Sequence, residues 1–160
     1  VRAGLTGVQV LSTLHAHDTC ATIEIFEEFG VPRMFIADSI NVVISQRLLR
    51  MICPTHRKTY HPDAATLRSL GLNPDEAGQI ELVRGIPAGD NFHTGYAGRT
   101  GIFELMMVEN DVRRAILDGA SRDALHQIAV ERGLQTLEQS ARNRVFAGAT
   151  TVEEMHRVLL

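Results

Sequence analysis

At 160 residues the chain has room for one ordinary domain, or a partial domain with a smaller one, and for a real core. Its 44% apolar and 22% charged residues match a globular protein, and a formal charge of −3 without a long basic stripe leaves nucleic acid no electrostatic footing. The two cysteines, Cys20 and Cys53, exclude a disulfide framework and point to a reducing compartment. No apolar run approaches the ~20 residues that span a bilayer, and Val1-Arg2-Ala3-Gly4 does not open a secretory signal.

The first element begins at the turn signal Thr6-Gly7 and runs through Val8, Val10, Leu11 and Leu14, a short apolar stretch that reads as a buried strand. Ser12, Thr13, His15, His17 and Asp18 crowd its end, and in open α/β sheets ligands sit at the carboxyl ends of strands. Asp18 or Thr19 then caps a helix to about Phe29, stopped by Gly30, and Val31-Pro32 starts the next one. Ile36, Ile40, Val43, Ile44, Leu48 and Met51 recur at spacings of three and four, predicting one long helix that ends before Pro54.

Prolines interrupt the pattern from Cys53 to His93, leaving a single short helix from Asp63, its N-cap, to Leu70, with Gly71 as its stop. Such a segment must lean on a neighbour, a metal or another subunit. A strand follows over Ile102 to Val108, after the glycines at 98 and 101. The remainder reads as small helices: from Asn110 to Asp118, from Ser121 to about Arg132, from Leu134 to Ala147, and one opened by Thr151 and Glu154 at capping-box spacing. Their apolar residues, Val112, Ile116, Leu125, Ile128, Leu134, Leu137, Val145, Met155 and Val158, suggest one shared centre.

Three ordered blocks carry a family resemblance. Leu5-Thr6-Gly7, then Val10-Leu11-Ser12-Thr13-Leu14-His15 and Asp18, resembles the His box of the type II secretion and type IV pilus assembly ATPases. Ser45-Gln46-Arg47-Leu48 through Cys53-Pro54 is similar to that family's Gln-Arg-Leu and Cys-Pro segment, and Thr94-Gly95-Tyr96-Ala97-Gly98-Arg99-Thr100-Gly101-Ile102-Phe103-Glu104-Leu105 is the most specific match. The resemblance implies an α/β fold: the C-terminal part of a RecA-like nucleotide-binding domain over 1–52, an irregular subdomain over 53–93, and a strand with a helical C-terminal subdomain over 94–160.

It further implies a hexameric, cytoplasmic motor, bound to the inner membrane through a platform protein, which uses ATP and Mg2+ to drive protein export or pilus assembly. No Gly-rich loop ending in Gly-Lys-Ser/Thr occurs, and no strand ends in the acidic residues that organise Mg2+. The chain is therefore expected to be the C-terminal part of a longer protein and to be inactive alone. The changes at Val8, Ala88 and Asn91 keep a second reading open, a non-catalytic adaptor that retains the ATPase fold. A zinc-dependent hydrolase has only scattered histidines behind it and no His-Glu-x-x-His helix.

Within the resemblance His15 is the catalytic candidate, an imidazole facing the terminal phosphate, against the plainer reading of a surface or helix-capping histidine. Val8 stands where the family usually places another histidine, so no two-histidine relay is read here. Arg47 and Arg99 are candidates for phosphate or inter-subunit contacts, against ordinary salt bridges. Cys20 reads as a small buried residue. Many family members hold the irregular subdomain with two Cys-x-x-Cys pairs around zinc. Here the first pair is Cys53-Pro54-Thr55-His56, and Ala88 and Asn91 stand at the second. Cys53, His56, His61 and His93 offer a substitute cluster of unspecific spacing, so the balance of the sequence is against a metal.

Overall fold

The elements run α1 (Ala21–Glu28), α2 (Arg33–Ser39), β1 (Val42–Ile52), β2 (Arg57–Tyr60), α3 (Ala64–Ser69), β3 (Leu82–Gly85), β4 (Tyr96–Met107), α4 (Asn110–Asp118), α5 (Arg122–Glu131), α6 (Leu137–Phe146) and α7 (Val152–Leu159), with short 3-10 turns at Pro74–Glu76 and Gly89–Asn91. The computed structural model describes residue 4 and residues 6–160. Leu5, which opens the first family block, and Val1-Arg2-Ala3 lie outside the described residues. The class is α/β, as the sequence suggests. β1 pairs with β4 and β2 with β3, the latter antiparallel with Arg57 opposite Gly85 and Tyr60 opposite Leu82.

The chain forms two compact units, residues 1–46 with 103–136 and residues 47–102 with 137–160. Each has its own core. In the first, Ile23 of α1, Ile36 and Ala37 of α2, Met106 and Val108, Val112 and Ile116 of α4, and Leu125 and Ala129 of α5 pack together. In the second, Leu49, Leu70, Leu82 and Ile102 meet Leu137, Ala141 and Val145 of α6 and Val152 and Met155 of α7. The single apolar centre expected for the last third is therefore divided. Val112, Ile116, Leu125 and Leu134 belong to one core and Leu137, Val145 and Met155 to the other, because α4 packs on α2 while α6 packs on α7 and β3.

Local signals placed the helix ends well. The Asp63 carboxylate accepts from Thr66 N at 2.8 Å, Ser121 Oγ from Ala124 N at 3.3 Å and Thr151 Oγ1 from Glu154 N at 3.2 Å. Gly30, Gly71, Gly119 and Gly133 all adopt positive φ past their helices. Thr6-Gly7 forms the expected turn, with Gly7 N on Gly4 O at 3.2 Å.

Two longer-range expectations fail. The helix predicted through Met51 stops at Ser39, and Val42–Ile52 is a strand. The β-branched run Val42-Val43-Ile44 resists helix, and pairing with β4 supplies the backbone hydrogen bonds that a helix would otherwise provide. The strand predicted over Val8–Leu14 does not form. Residues 8–16 carry no regular structure, and Leu11 is 93% exposed. An apolar strand is stable only beside a partner, and the described residues supply none to it. The expected strand at Ile102–Val108 is present and longer, starting at Tyr96.

The region from Cys53 to His93 holds more order than its prolines suggested. Besides α3 it contains β2 and β3, and it leans on the second core through Leu70 and Leu82. Gly85 and Gly95 touch backbone to backbone there. A methyl group on Gly85 would run into the Gly95 carbonyl, and one on Gly95, where φ is +78°, would lie 2.9 Å from the Gly85 carbonyl carbon.

Candidate functional site

The polypeptide after His15 is fixed by a set of buried contacts. Glu104, itself buried on β4, accepts from Thr19 N at 2.9 Å and from Thr19 Oγ1 at 2.7 Å through one oxygen, and Cys20 Sγ lies 3.7 Å from Met106 Sδ. Asp18 accepts from Ala21 N at 2.8 Å, capping α1, and pairs with Arg122 of α5. Burial alone would raise the Asp18 carboxyl, but the hydrogen bonds from Arg122 and Ala21 outweigh it and hold the group below its ordinary value. Burial pushes the Cys20 thiol up to about 12, with the Asp18 charge adding to it, so Cys20 is no nucleophile at neutral pH, in line with its reading as a small buried residue.

His15 stands outside this anchor. It is exposed, three residues before Asp18, on the stretch that lacks regular structure. His17 is likewise exposed. His15 belongs to the first unit, and Arg47 and Arg99 to the second. Arg47 lies on β1, half-buried, rather than on the predicted helix; Arg99 lies exposed within β4, directly after Gly98, whose φ of +77° interrupts the strand's regular pleat.

The side chains of residues 53–95 assemble in a way spacing did not anticipate. Of the four ligand candidates only Cys53 and His56 come together, joined by Asp90, with one ligand atom of each lying within 4.8 Å of the others. His61 instead has Nδ1 3.1 Å from the Ile80 carbonyl, and the exposed His93 sits in the left-handed region at φ +58°. The Cys-His₃ cluster is therefore not built. The Thr55 hydroxyl is 3.3 Å from Cys53 Sγ, 3.0 Å from His56 Nδ1 and 3.5 Å from Asp90 Oδ2. Hydrogen bonds from Thr55 and from the His56 backbone bring the Cys53 thiol down to about 6.

A tetrathiolate zinc site does not fit these residues. Ala88 has no donor atom, and the Asn91 carboxamide, 1% exposed, is spent on backbone partners: Oδ1 accepts from Ala88 N at 2.9 Å and Gly95 N at 3.1 Å, and Nδ2 donates to Ile86 O at 2.9 Å.

Sequence reasoning missed another buried group, Glu154. Its carboxylate is fully buried and accepts from Arg50 N at 2.9 Å, Arg50 Nε at 2.9 Å and Nη2 at 2.7 Å, and from Arg157 Nε at 2.8 Å and Nη2 at 2.6 Å. The capping-box pattern flagged the right residue for half of its role. Thr151 does cap Glu154 N, but the carboxylate turns to the arginines instead of back to the Thr151 amide. Burial would raise this carboxyl; the Arg157 and Arg50 hydrogen bonds dominate and hold it at about 2.

The chain is thus of the α/β class, with an exposed His15 ahead of a core-anchored helix and with Arg47 and Arg99 on paired strands. Comparison with known proteins narrows this class. The family model described as type II/IV secretion system protein matches residues 1–157, and the chain belongs to that family. It is 37% identical over 153 residues to the type IV pilus assembly ATPase PilB of Thermus thermophilus, covering 96% of this chain and 17% of that one. It is 33% identical over 156 residues to PilB of Myxococcus xanthus, 97% of this chain and 28% of that one, and 34% identical over 158 residues to type II secretion system protein E of Pseudomonas aeruginosa, 99% and 31%. The chain thus spans less than a third of the length of these relatives. No helix among the described residues is long and apolar enough to cross a membrane.

Proposed function

We propose that this chain is the C-terminal part of the motor subunit of a hexameric secretion or pilus-assembly ATPase, in which a RecA-like nucleotide domain is completed by polypeptide beyond it. The observation that carries the reading is the match to pilus-assembly and secretion ATPases along nearly the whole chain, together with an exposed His15 within the matched Thr-Leu-His segment. In that protein ATP binds with Mg2+ between adjacent copies. His15 faces the terminal phosphate and donates a hydrogen bond that depends on whether that phosphate is present. Arg99, exposed on β4, and Arg47 contact phosphate or the neighbouring copy with guanidinium forks suited to such groups. The bound nucleotide supplies the free energy, and this chain senses its state and moves with it. The partners are other copies of the same chain and an inner-membrane platform protein, met from the cytoplasm.

The 160-residue chain alone has no Gly-Lys-Ser/Thr loop to cradle phosphates, so it neither binds ATP tightly nor turns it over. Phosphate release measured with ATP and Mg2+ tests this directly; turnover by the isolated chain refutes it. Joined to a domain carrying the phosphate loop, His15→Ala lowers kcat by about a hundredfold with KM little changed. An unchanged kcat removes His15 from the mechanism, and no turnover by the joined wild-type protein favours the adaptor reading.

A further inference from the structure

The loop after β1 and the loop before β4 meet through hydrogen bonds. A carboxamide has two acceptor lone pairs and two N–H donors. Asn91 spends both lone pairs on Ala88 N and Gly95 N and one donor on Ile86 O. One buried side chain therefore ties residues 86, 88 and 95 to one another. Cys53 N adds a bond to Gly95 O at 3.0 Å, and Ile86 N one to His56 O at 2.8 Å. On the other side the Thr55 hydroxyl lies 3.0 to 3.5 Å from Cys53 Sγ, His56 Nδ1 and Asp90 Oδ2.

We propose that Asn91 and Thr55 form a metal-free clamp for this segment: Asn91 fixes the Ile86–Gly95 loop, whose Gly95 carbonyl and Ile86 amide bond Cys53 and His56, and the Thr55 hydroxyl reaches across to Asp90. The clamp explains why loss of the second ligand pair leaves this segment ordered. Ala88 contributes only its backbone N–H, and Asn91 contributes every polar atom it has. The inference does not rest on the motor reading, since it concerns the folding of this segment alone.

The test uses the untagged chain, unfolded in denaturant and refolded with and without a strong zinc chelator. Metal content is read by mass spectrometry and the melting temperature by circular dichroism. The clamp predicts far less than one zinc per chain, the same melting temperature in both refolded samples, and no gain from added zinc. Asn91→Ala leaves the buried Gly95 amide, the part-buried Ala88 amide and the Ile86 carbonyl without their side-chain partner and lowers the melting temperature by about 5 °C or more, without rescue by zinc. Asn91→Asp keeps the acceptors but loses the donors, and falls between the two. Failure of Asn91→Ala to fold supports the clamp if the wild type refolds in chelator. About one zinc per chain, a lower melting temperature after chelation, or an Asn91→Ala chain as stable as wild type each overturns it.

Discussion

Glu154→Gln tests how much a buried carboxylate stabilises the second unit. The glutamine keeps the shape but loses the charge and puts an NH₂ where one oxygen accepted from a guanidinium. In the folded chain the Glu154 carboxyl is held at about 2, against an ordinary 4.5. That difference corresponds to about 3 kcal/mol. Arg50 and Arg157 are each half-exposed, so solvent screening reduces the figure to about 2 kcal/mol. For a chain of this size such a loss lowers the melting temperature by about 4–8 °C. The pH dependence gives the sharper signature. Because the folded pKa is depressed, the stabilisation is complete above the unfolded value near 4.5 and disappears as pH falls through about 2. The stability gap between wild type and Glu154→Gln, measured by urea unfolding, should stay constant from pH 7 to 6 and narrow below about pH 4.5. A gap that is the same at pH 7 and pH 3.5 would refute the argument that charge pairing, and not shape, holds this group.

Two other changes probe the frame around it. Gly85→Ala forces a methyl group into the Gly95 carbonyl and should cost about 2–3 kcal/mol, read as a lower urea midpoint; a neutral result would mean that the two backbones part easily. Asp63→Ala removes the cap on Thr66 N and should cost about 1 kcal/mol, with Asp63→Asn recovering most of it, both read from the melting temperature; equal losses for the two variants would point to charge instead of capping.

The amino-acid sequence by itself determined what depends on near neighbours. The caps at Asp63, Ser121 and Thr151 and the stops at Gly30, Gly71, Gly119 and Gly133 follow from side chains and φ preferences that act within about four residues, and the family blocks around His15, Arg47 and Arg99 were readable as strings. Tertiary structure decided what depends on partners distant along the chain. Val42–Ile52 became a strand because β4 pairs with it, whereas the apolar stretch at Val8–Leu14 stayed irregular for want of a partner among the described residues. Glu154 found Arg50, and Thr19 found Glu104. A hydrogen bond or strand ladder between residues a hundred positions apart leaves no spacing to read, since only the folded path of the backbone brings the groups within reach.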